Sequence, residues 1–400
     1  MSRLEELIAE LCPDGVAYRV LHTICDVYDG THTTPKYTES GVRFASVENI
    51  QNPYDSNKFI SVDDFQNYPV KPQTGDVLMT RIGSIGVCYV VDCNEPLAYY
   101  VSLALLRPNQ TVLDSRYLKY SIECLNGRRE LRKRTLVNAV PIKINKNDIG
   151  RISIPVPPLP VQREIVKILD SFTELTAELT AELTAELKAR QKQYDYYRNN
   201  LLSFAPEIPT KTIGEISSYR RGSFPQPYGN KEWYDGEGAM PFVQVADIGD
   251  NLRLVNDTKR KISRLAQKKS VFAPKGSIVI SLQGSIGRIA VTQYDAYIDR
   301  TVAIFQGISS AVLEKYFVYQ LQRIFSIKEK TARGSTIKTI TKEEFTDFPI
   351  AIPSIEEQRR IIEILDRFDT LCNDITNGLP AEIAARQCQY AYYRDRLLSF

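Results

Sequence analysis

Histidine is nearly missing from this chain: 400 residues contain two, His22 and His32, and the seven cysteines include no Cys-Xaa-Xaa-Cys pair. That supply is too thin for an ordinary zinc site, and no Ser, His and Asp spacing resembles a nucleophilic triad. An odd cysteine count, with only Cys88 and Cys93 near each other, points to reduced, structural thiols. No stretch approaches the roughly 18 uninterrupted apolar residues of a membrane span. The opening MSRLEELIAELCPDG carries four acids against one Arg and no apolar run, so it fits neither a secretory signal nor a transit peptide. A soluble, cytoplasmic protein is expected. Neither a GxxxxGK[ST] phosphate loop nor an Asn-Pro-Pro-Tyr methylation motif occurs; Asn52-Pro53-Tyr54 lacks the second proline and reads as a turn. No cofactor and no metal are expected, and self-contained catalysis finds no residues to perform it.

What is there is the same plan twice. Gln162-Arg163-Glu164-Ile165 answers Gln358-Arg359-Arg360-Ile361, and Tyr196-Tyr197-Arg198 through Phe204 answers Tyr392-Tyr393-Arg394 through Phe400, both at an offset of 196. Upstream, Gly75 and the GSIG at Gly83–Gly86 answer Gly276 and Gly284–Gly287 at offset 201, and Phe44-Ala45-Ser46-Val47 answers Phe242-Val243-Gln244-Val245 at 198. The helical parts match without gaps and the β-rich parts with indels, which surface loops tolerate far better than packed helices. Rigid spacers joined to adaptable heads follow, with a period that means domain duplication rather than a solenoid. The fold expected is α+β: β-rich blocks over 1–150 and 206–345, helical spacers over 151–205 and 346–400, related by a pseudo-twofold duplication with long antiparallel helices.

The net charge of +3 hides a segregation, because residues 16–150 carry +2 and 206–345 carry +7 while the helical spacers are neutral or acidic. Clustered Lys and Arg release counterions from a duplex, so charge on the heads suits a polyanion reader, though a solubilising surface gives similar totals. Short alternating runs such as Gly75–Thr80 and Ser277–Leu282 read as strands closed by a Gly-Ser turn. The glycines of GSIG permit a tight turn; they also let Ser84 or Ser285 and nearby amides approach a phosphate or base edge. Arg81 in the first head and Gln283 in the second can bond base edges bidentately. Further candidate contacts are Arg128, Arg129, Arg132, Lys133, Arg134 and Lys146 in the first head, and Arg220, Arg221, Arg333, Ser335, Thr336 and Lys338 in the second. Other basic runs are Lys259-Arg260-Lys261 and Lys268-Lys269. Each cluster is read either as a phosphate contact or as a solvated face.

Helix starts are expected near 160, after Pro155–Pro160, and near 355, where Ser354-Ile355-Glu356-Glu357 has the form of a capping box. Ile165, Ile168, Leu169 and Phe172, like Ile361, Ile364, Leu365 and Phe368, keep the spacing of a buried stripe. Within the first helix TAEL occurs three times, Thr176–Leu187, aligning Leu175, Leu179, Leu183 and Leu187 on one side. Four residues advance a helix by about 6 Å and turn its stripe by about 40°, on the scale of one or two base pairs of B-DNA. Slippage accounts for the origin of the repeat and leaves open its use as a ruler. Glu178, Glu182 and Glu186 repel mildly along one row. Thr376-Asn377-Gly378-Leu379-Pro380 should break or kink the second helix, giving one long rod and one broken one. Tyr194, Tyr197, Tyr390 and Tyr393 near the helix ends are packing residues or a docking surface for a partner subunit.

These residues resemble the specificity subunits of type I restriction-modification enzymes, over essentially the whole chain. The resemblance rests on the duplicated layout, on PVPPLPVQREIVKILD at Pro155–Asp170 and AIPSIEEQRRIIEILD at Ala351–Asp366, on the Tyr-Tyr-Arg helix ends, and on the TAEL units, which look like those of the IC subgroup. The opening LIAELCPDGV also resembles a continuation of the second helix's end in a circular arrangement. The resemblance implies two target recognition domains, each reading half of an asymmetric bipartite site on double-stranded DNA, with the paired helices setting the gap. It implies two modification (methyltransferase) subunits docked on helices and heads, restriction (ATP-dependent translocase and nuclease) subunits outside them, and no catalysis by this chain. The competing reading is a duplicated coiled-coil scaffold whose basic heads bind RNA or acidic proteins.

Overall fold

The computed structural model describes residues 2–33, 35–68, 70–249, 251–331, 342–374 and 377–400. The chain divides into two compact units, one of residues 1–181 with 384–400 and the other of residues 182–383. No helix among the described residues is long and apolar enough to cross a membrane.

The first unit opens with α1 (Arg3–Leu11), β1 (Tyr18–Val20), β2 (Cys25–Asp29), β3 (Val42–Ala45), β4 (Phe59–Ile60) and α2 (Val62–Gln66). It continues through β5 (Val77–Thr80), β6 (Cys88–Val90), β7 (Leu97–Tyr99), β8 (Leu103–Pro108), α3 (Ser115–Glu123), α4 (Leu125–Arg134), α5 (Lys146–Gly150) and β9 (Ser153–Pro155) into the long helix α6 (Leu159–Leu201). A four-stranded sheet of order β2-β8-β5-β6 faces a three-stranded sheet of order β4-β3-β7, in which β3 and β7 run parallel. The runs expected to alternate are instead buried on both faces. Val77 and Met79 of β5 enter the core shared with the helices, while Leu78 enters the core between the two sheets. A strand covered on both sides carries apolar residues at every position, so the period of two vanishes. Asn52-Pro53-Tyr54 does form a turn, a short 3₁₀ stretch at Pro53–Asp55.

The second unit repeats this with β10 (Thr210–Thr212), α7 (Ile213–Ile216), β11 (Ser218–Arg221), β12 (Met240–Val243), β13 (Arg260–Ile262), α8 (Arg264–Gln267), β14 (Val271–Ala273) and β15 (Ile278–Ser281). There follow β16 (Ile289–Val291), β17 (Ala296–Ile298), β18 (Val302–Gln306), α9 (Glu314–Thr331), α10 (Lys342–Thr346), β19 (Pro349–Ala351), α11 (Ile355–Asn373) and the start of α12 (Leu379–Leu397), whose residues from 384 on belong to the first unit, as those of α6 from 182 on belong to the second. The sheet β11-β18-β15-β16 has the order of its counterpart, and β12 pairs parallel with β17 as β3 does with β7. In each unit a short ladder ties the head to the residues just before its helix: β1 with β9 in the first, β10 with β19 in the second.

The second helical region is broken as expected, into α11 and α12; Thr376 lies outside the described residues. Gly378 N bonds the Asp374 carbonyl at 2.9 Å, and Pro380 falls in the first turn of α12, where its missing N–H costs nothing. The capping box at Ser354 is half formed. Its hydroxyl accepts from Glu357 N at 3.3 Å, but the Glu357 carboxylate pairs with Arg360 at 2.6 Å.

Candidate nucleic-acid interface

The frame is pinned twice by the same residues. The Gln162 amide, fully buried, donates to the carbonyls of Val112 (2.8 Å) and Pro157 (2.7 Å) and accepts from Asp114 N (2.9 Å). Gln358 does the same to Ala311 (2.9 Å) and Pro353 (3.0 Å) and accepts from Leu313 N (2.9 Å). Tyr120 bonds Asp170 at 2.8 Å and Tyr319 bonds Asp366 at 2.5 Å. Arg116 and Lys315 close ion pairs with the same two aspartates. The helix ends then cross over between repeats. In the first unit the start of α6 meets the end of α12, Phe172 lying 5.8 Å from the Tyr393 ring. In the second the start of α11 meets the end of α6, Phe368 stacking on Tyr197 at 5.4 Å.

On this frame each four-stranded sheet presents one loop end built from three turns. In the first unit these are the end of β2, the β5–β6 turn and the β7–β8 turn, tied by Arg81 N to the Ser102 carbonyl (2.9 Å). In the second they are the end of β11, the β15–β16 turn and the β17–β18 turn, tied by Leu282 N to the Thr301 carbonyl (2.8 Å) and Gly222 N to the Val302 carbonyl (2.9 Å). The GSIG motifs are the middle turns. Gly86 and Gly287 take φ of +88° and +82°, and an added Cβ would stand 2.4 Å from Leu131 Cδ1 or 2.3 Å from Phe325 Cδ1. The tight-turn reading is therefore correct, and a second fact comes with it: each turn is seated directly on α4 or α9. Ser84 and Ser285 at the tips are exposed.

The expected contact residues divide. Arg81 is a correction: it is 7% exposed, its guanidinium pairs with Asp29 and it donates Nε to the Ile144 carbonyl at 3.1 Å. The reason is register, since the position equivalent to Arg81 is Leu282, 1% exposed, an inward site in both repeats. Gln283, one residue further on, is half-buried. On α4, Arg128, Arg129 and Arg132 are exposed, whereas Lys133 and Arg134 share Glu130 at 2.7 Å each. Three of these cations occupy the helix's last turn, where they also offset its dipole. Lys146 is exposed at the start of α5, and Arg220 and Arg221 are exposed on β11, an edge strand of its sheet. Arg333, Ser335, Thr336 and Lys338 lie outside the described residues.

The sequence reading missed Arg300, exposed on the β17–β18 turn with its guanidinium 5.1 Å over the Tyr228 ring. Asp299-Arg300-Thr301 between two apolar runs is the signal, since Asp and Thr there bond their own turn. Arg260 over Tyr234 (5.0 Å) and Lys269 over Trp233 (5.3 Å) extend the same cation-bearing aromatic surface.

Among the tyrosines, Tyr194 follows the packing alternative and is removed from the candidate docking surface: it is 6% exposed and donates to Gln322 at 3.0 Å. Tyr390 is half-buried and shares a 2.9 Å hydrogen bond with Thr173. The exposed rings are Tyr196 (64%) and Tyr392 (60%), each packed edge-on against the partly exposed Tyr197 or Tyr393. All seven cysteines are free, and no group of three potential metal ligands occurs among the described residues.

A family model described as the type I restriction modification DNA specificity domain matches this chain twice, over residues 13–189 and 207–385. The chain is 39% identical over 267 residues to the specificity subunit of the type I restriction enzyme EcoR124I/EcoR124II of Escherichia coli, spanning 62% of this chain and 63% of that one. It is 36% identical over 304 residues to a putative type I restriction enzyme specificity subunit of Haemophilus influenzae, spanning 70% and 75%. Among solved structures it resembles a chain from a study of type I R-M complex assembly and conformational transition (TM-score 0.70, 19% identity, 96% and 98% covered). It also resembles the HsdS subunit from Thermoanaerobacter tengcongensis (TM-score 0.54, 20% identity, 96% of each). At those identities the likeness is one of fold.

Proposed function

The chain belongs to the type I restriction-modification DNA specificity family, and from that premise we propose that it reads an asymmetric, two-part site on duplex DNA, one part with each unit. The observation that carries this reading is the loop end built twice on one frame with different exposed side chains. A duplicated frame with divergent tips is what two different half-sites require.

In the first unit the exposed Arg128, Arg129 and Arg132 of α4, the helix under the Ser84 turn, and Lys146 at the start of α5 bind phosphates; Lys133 and Arg134 contribute once Glu130 is outcompeted. In the second, Arg220, Arg221, Gln283 and Ser285 serve the same end. Phosphate contacts fix register and the few polar groups at the tips carry sequence information. The helices set the unread gap between the half-sites, α6 through its TAEL units. Two modification subunits dock on the helices, using the exposed Tyr196 and Tyr197 in one repeat and Tyr392 and Tyr393 in the other. Restriction subunits join outside them. Methyl transfer, ATP hydrolysis and cleavage belong to those partners, in the cytoplasm.

The test is selection of bound fragments from a random duplex pool, with the full chain co-expressed with the modification subunits of its own system. Two short fixed motifs at a constant gap are expected; a pool that stays random after several rounds rules the reading out.

A further inference from the structure

We infer that Arg300 reads a guanine in the half-site of the second unit, held for that purpose by Tyr228 and Asp299. This rests on the two-part reading above and assigns one base class within it.

Asp299 is buried, and its carboxylate accepts from Tyr228 Oη (2.6 Å), Thr301 N (2.9 Å) and Thr301 Oγ1 (2.7 Å). Tyr234 Oη in turn bonds the Tyr228 carbonyl at 2.8 Å, and the Phe224 ring lies 4.8 Å from the Tyr228 ring. The backbone on both sides of Arg300 and the ring beneath its guanidinium are thus fixed by one carboxylate. The chain at Gly222 runs so close that a Cβ there would stand 2.3 Å from the Asp299 carbonyl oxygen, which places Arg221 beside the same turn. Arg300 itself is exposed at the loop end, between the turn of Gln283–Ser285 and the end of β11.

A planar guanidinium held over an aromatic ring has surrendered much of its rotamer freedom before a ligand arrives. Such an arginine at the tip of a turn suits bidentate bonding to O6 and N7 of guanine, the commonest specific contact in the major groove. The repeat supplies the second argument. Frame residues recur in both units, as Gln162 and Gln358 do, whereas the position equivalent to Arg300 is Val101, on the matching turn between β7 and β8. The shared backbone of the turn therefore does not require an arginine at this position, and the exposed side chain there can differ where the half-sites differ.

The experiment uses the full chain with its modification subunits, wild type and with Arg300→Ala, Arg300→Lys and Tyr228→Phe. Duplex selection is followed by titration of the recovered site at several salt concentrations. The wild type is expected to fix a G·C pair in one half-site. Arg300→Ala should relax that position alone, weakening the selected site by about 5- to 150-fold with the other half-site unchanged. Arg300→Lys should keep the salt dependence of the wild type yet also lose the guanine preference, and Tyr228→Phe should weaken that preference without abolishing it. Thermal melting of Arg300→Ala coinciding with wild type shows that the loss is not unfolding. If Arg300→Ala binds every sequence more weakly by one factor, with a shallower salt dependence and the same selected bases, Arg300 is a phosphate contact and the inference falls while the two-part reading stands. A wild-type complex that selects no fixed bases overturns both.

Discussion

The loop ends of the two units share a backbone and differ in charge placement. At the first, the arginine of the turn is folded inward onto Asp29, the β7–β8 turn carries Val101, and the exposed cations Arg128, Arg129 and Arg132 stand on α4. At the second, the inward position is Leu282 and the cations stand at the loop end itself, Arg221 at the end of β11 and Arg300 on the β17–β18 turn. The underlying helices differ too: α3 and α4 are split at Cys124, while α9 runs unbroken from Glu314 to Thr331. Duplication preserved the backbone and pins such as Gln162 and Gln358 while exposed side chains at the loop ends, and some inward ones, diverged, which is how one scaffold presents two chemistries.

If the frame is truly shared, breaking its pin should hurt both units alike. Gln162→Ala and Gln358→Ala each remove the partner of three backbone groups, one buried and two part-buried, and each should cost about 3 kcal/mol, seen as a lowered urea midpoint. A cost confined to one of them would break the equivalence. The turns should separate the units more finely. Ala at Gly287 meets Cδ1, Cγ and Cβ of Phe325 at 2.3, 2.4 and 2.8 Å, whereas Ala at Gly86 meets the flexible end of Leu131, so Gly287→Ala should cost about 2 kcal/mol and Gly86→Ala about half that. Equal costs would mean that the Phe325 ring yields as easily as the leucine.

Replacing Arg128, Arg129 and Arg132 with Ala should weaken binding to all duplexes and reduce the salt slope by about one for each phosphate that is no longer neutralised. Relaxed base preference at an unchanged slope would instead make α4 a reader. The smallest effect is expected at Glu123, whose carboxylate accepts from Cys88 N at 2.9 Å and whose place in the second unit is taken by Gln322. Burial pushes the Glu123 carboxyl above its ordinary value. The fold therefore favours the protonated form: stability is greatest below the ordinary carboxylate range and declines as pH rises through the raised value. Glu123→Gln, which copies the second unit, should raise the melting temperature by a few degrees at pH 7 and leave it unchanged in acid; a decrease at pH 7 would show that the charge is needed.

The duplication, the helix starts, the break before Pro380 and the GSIG turns were legible because each is a local signal: a repeated word, a cap, a proline, a glycine. The doubly buried strands were not, since a continuous apolar run looks alike in many settings. Arg81 misled because orientation on a strand is set by register, which the sequence reveals only when Leu282 is laid beside it. Tyr194 and Tyr196 are two residues apart on one helix, yet the first is core and the second exposed, a distinction made by Gln322 and Phe368 from distant parts of the chain. Arg300 escaped notice because a single arginine in a turn forms no cluster.

The central claim is that reading and spacing are separate properties of one chain, and deletion of one TAEL unit from Thr176–Leu187 tests it most directly. Selected duplexes from the shortened chain, in complex with its modification subunits, should show both half-site motifs unchanged and the gap between them reduced by one or two base pairs. Altered motifs at the original gap would contradict the account.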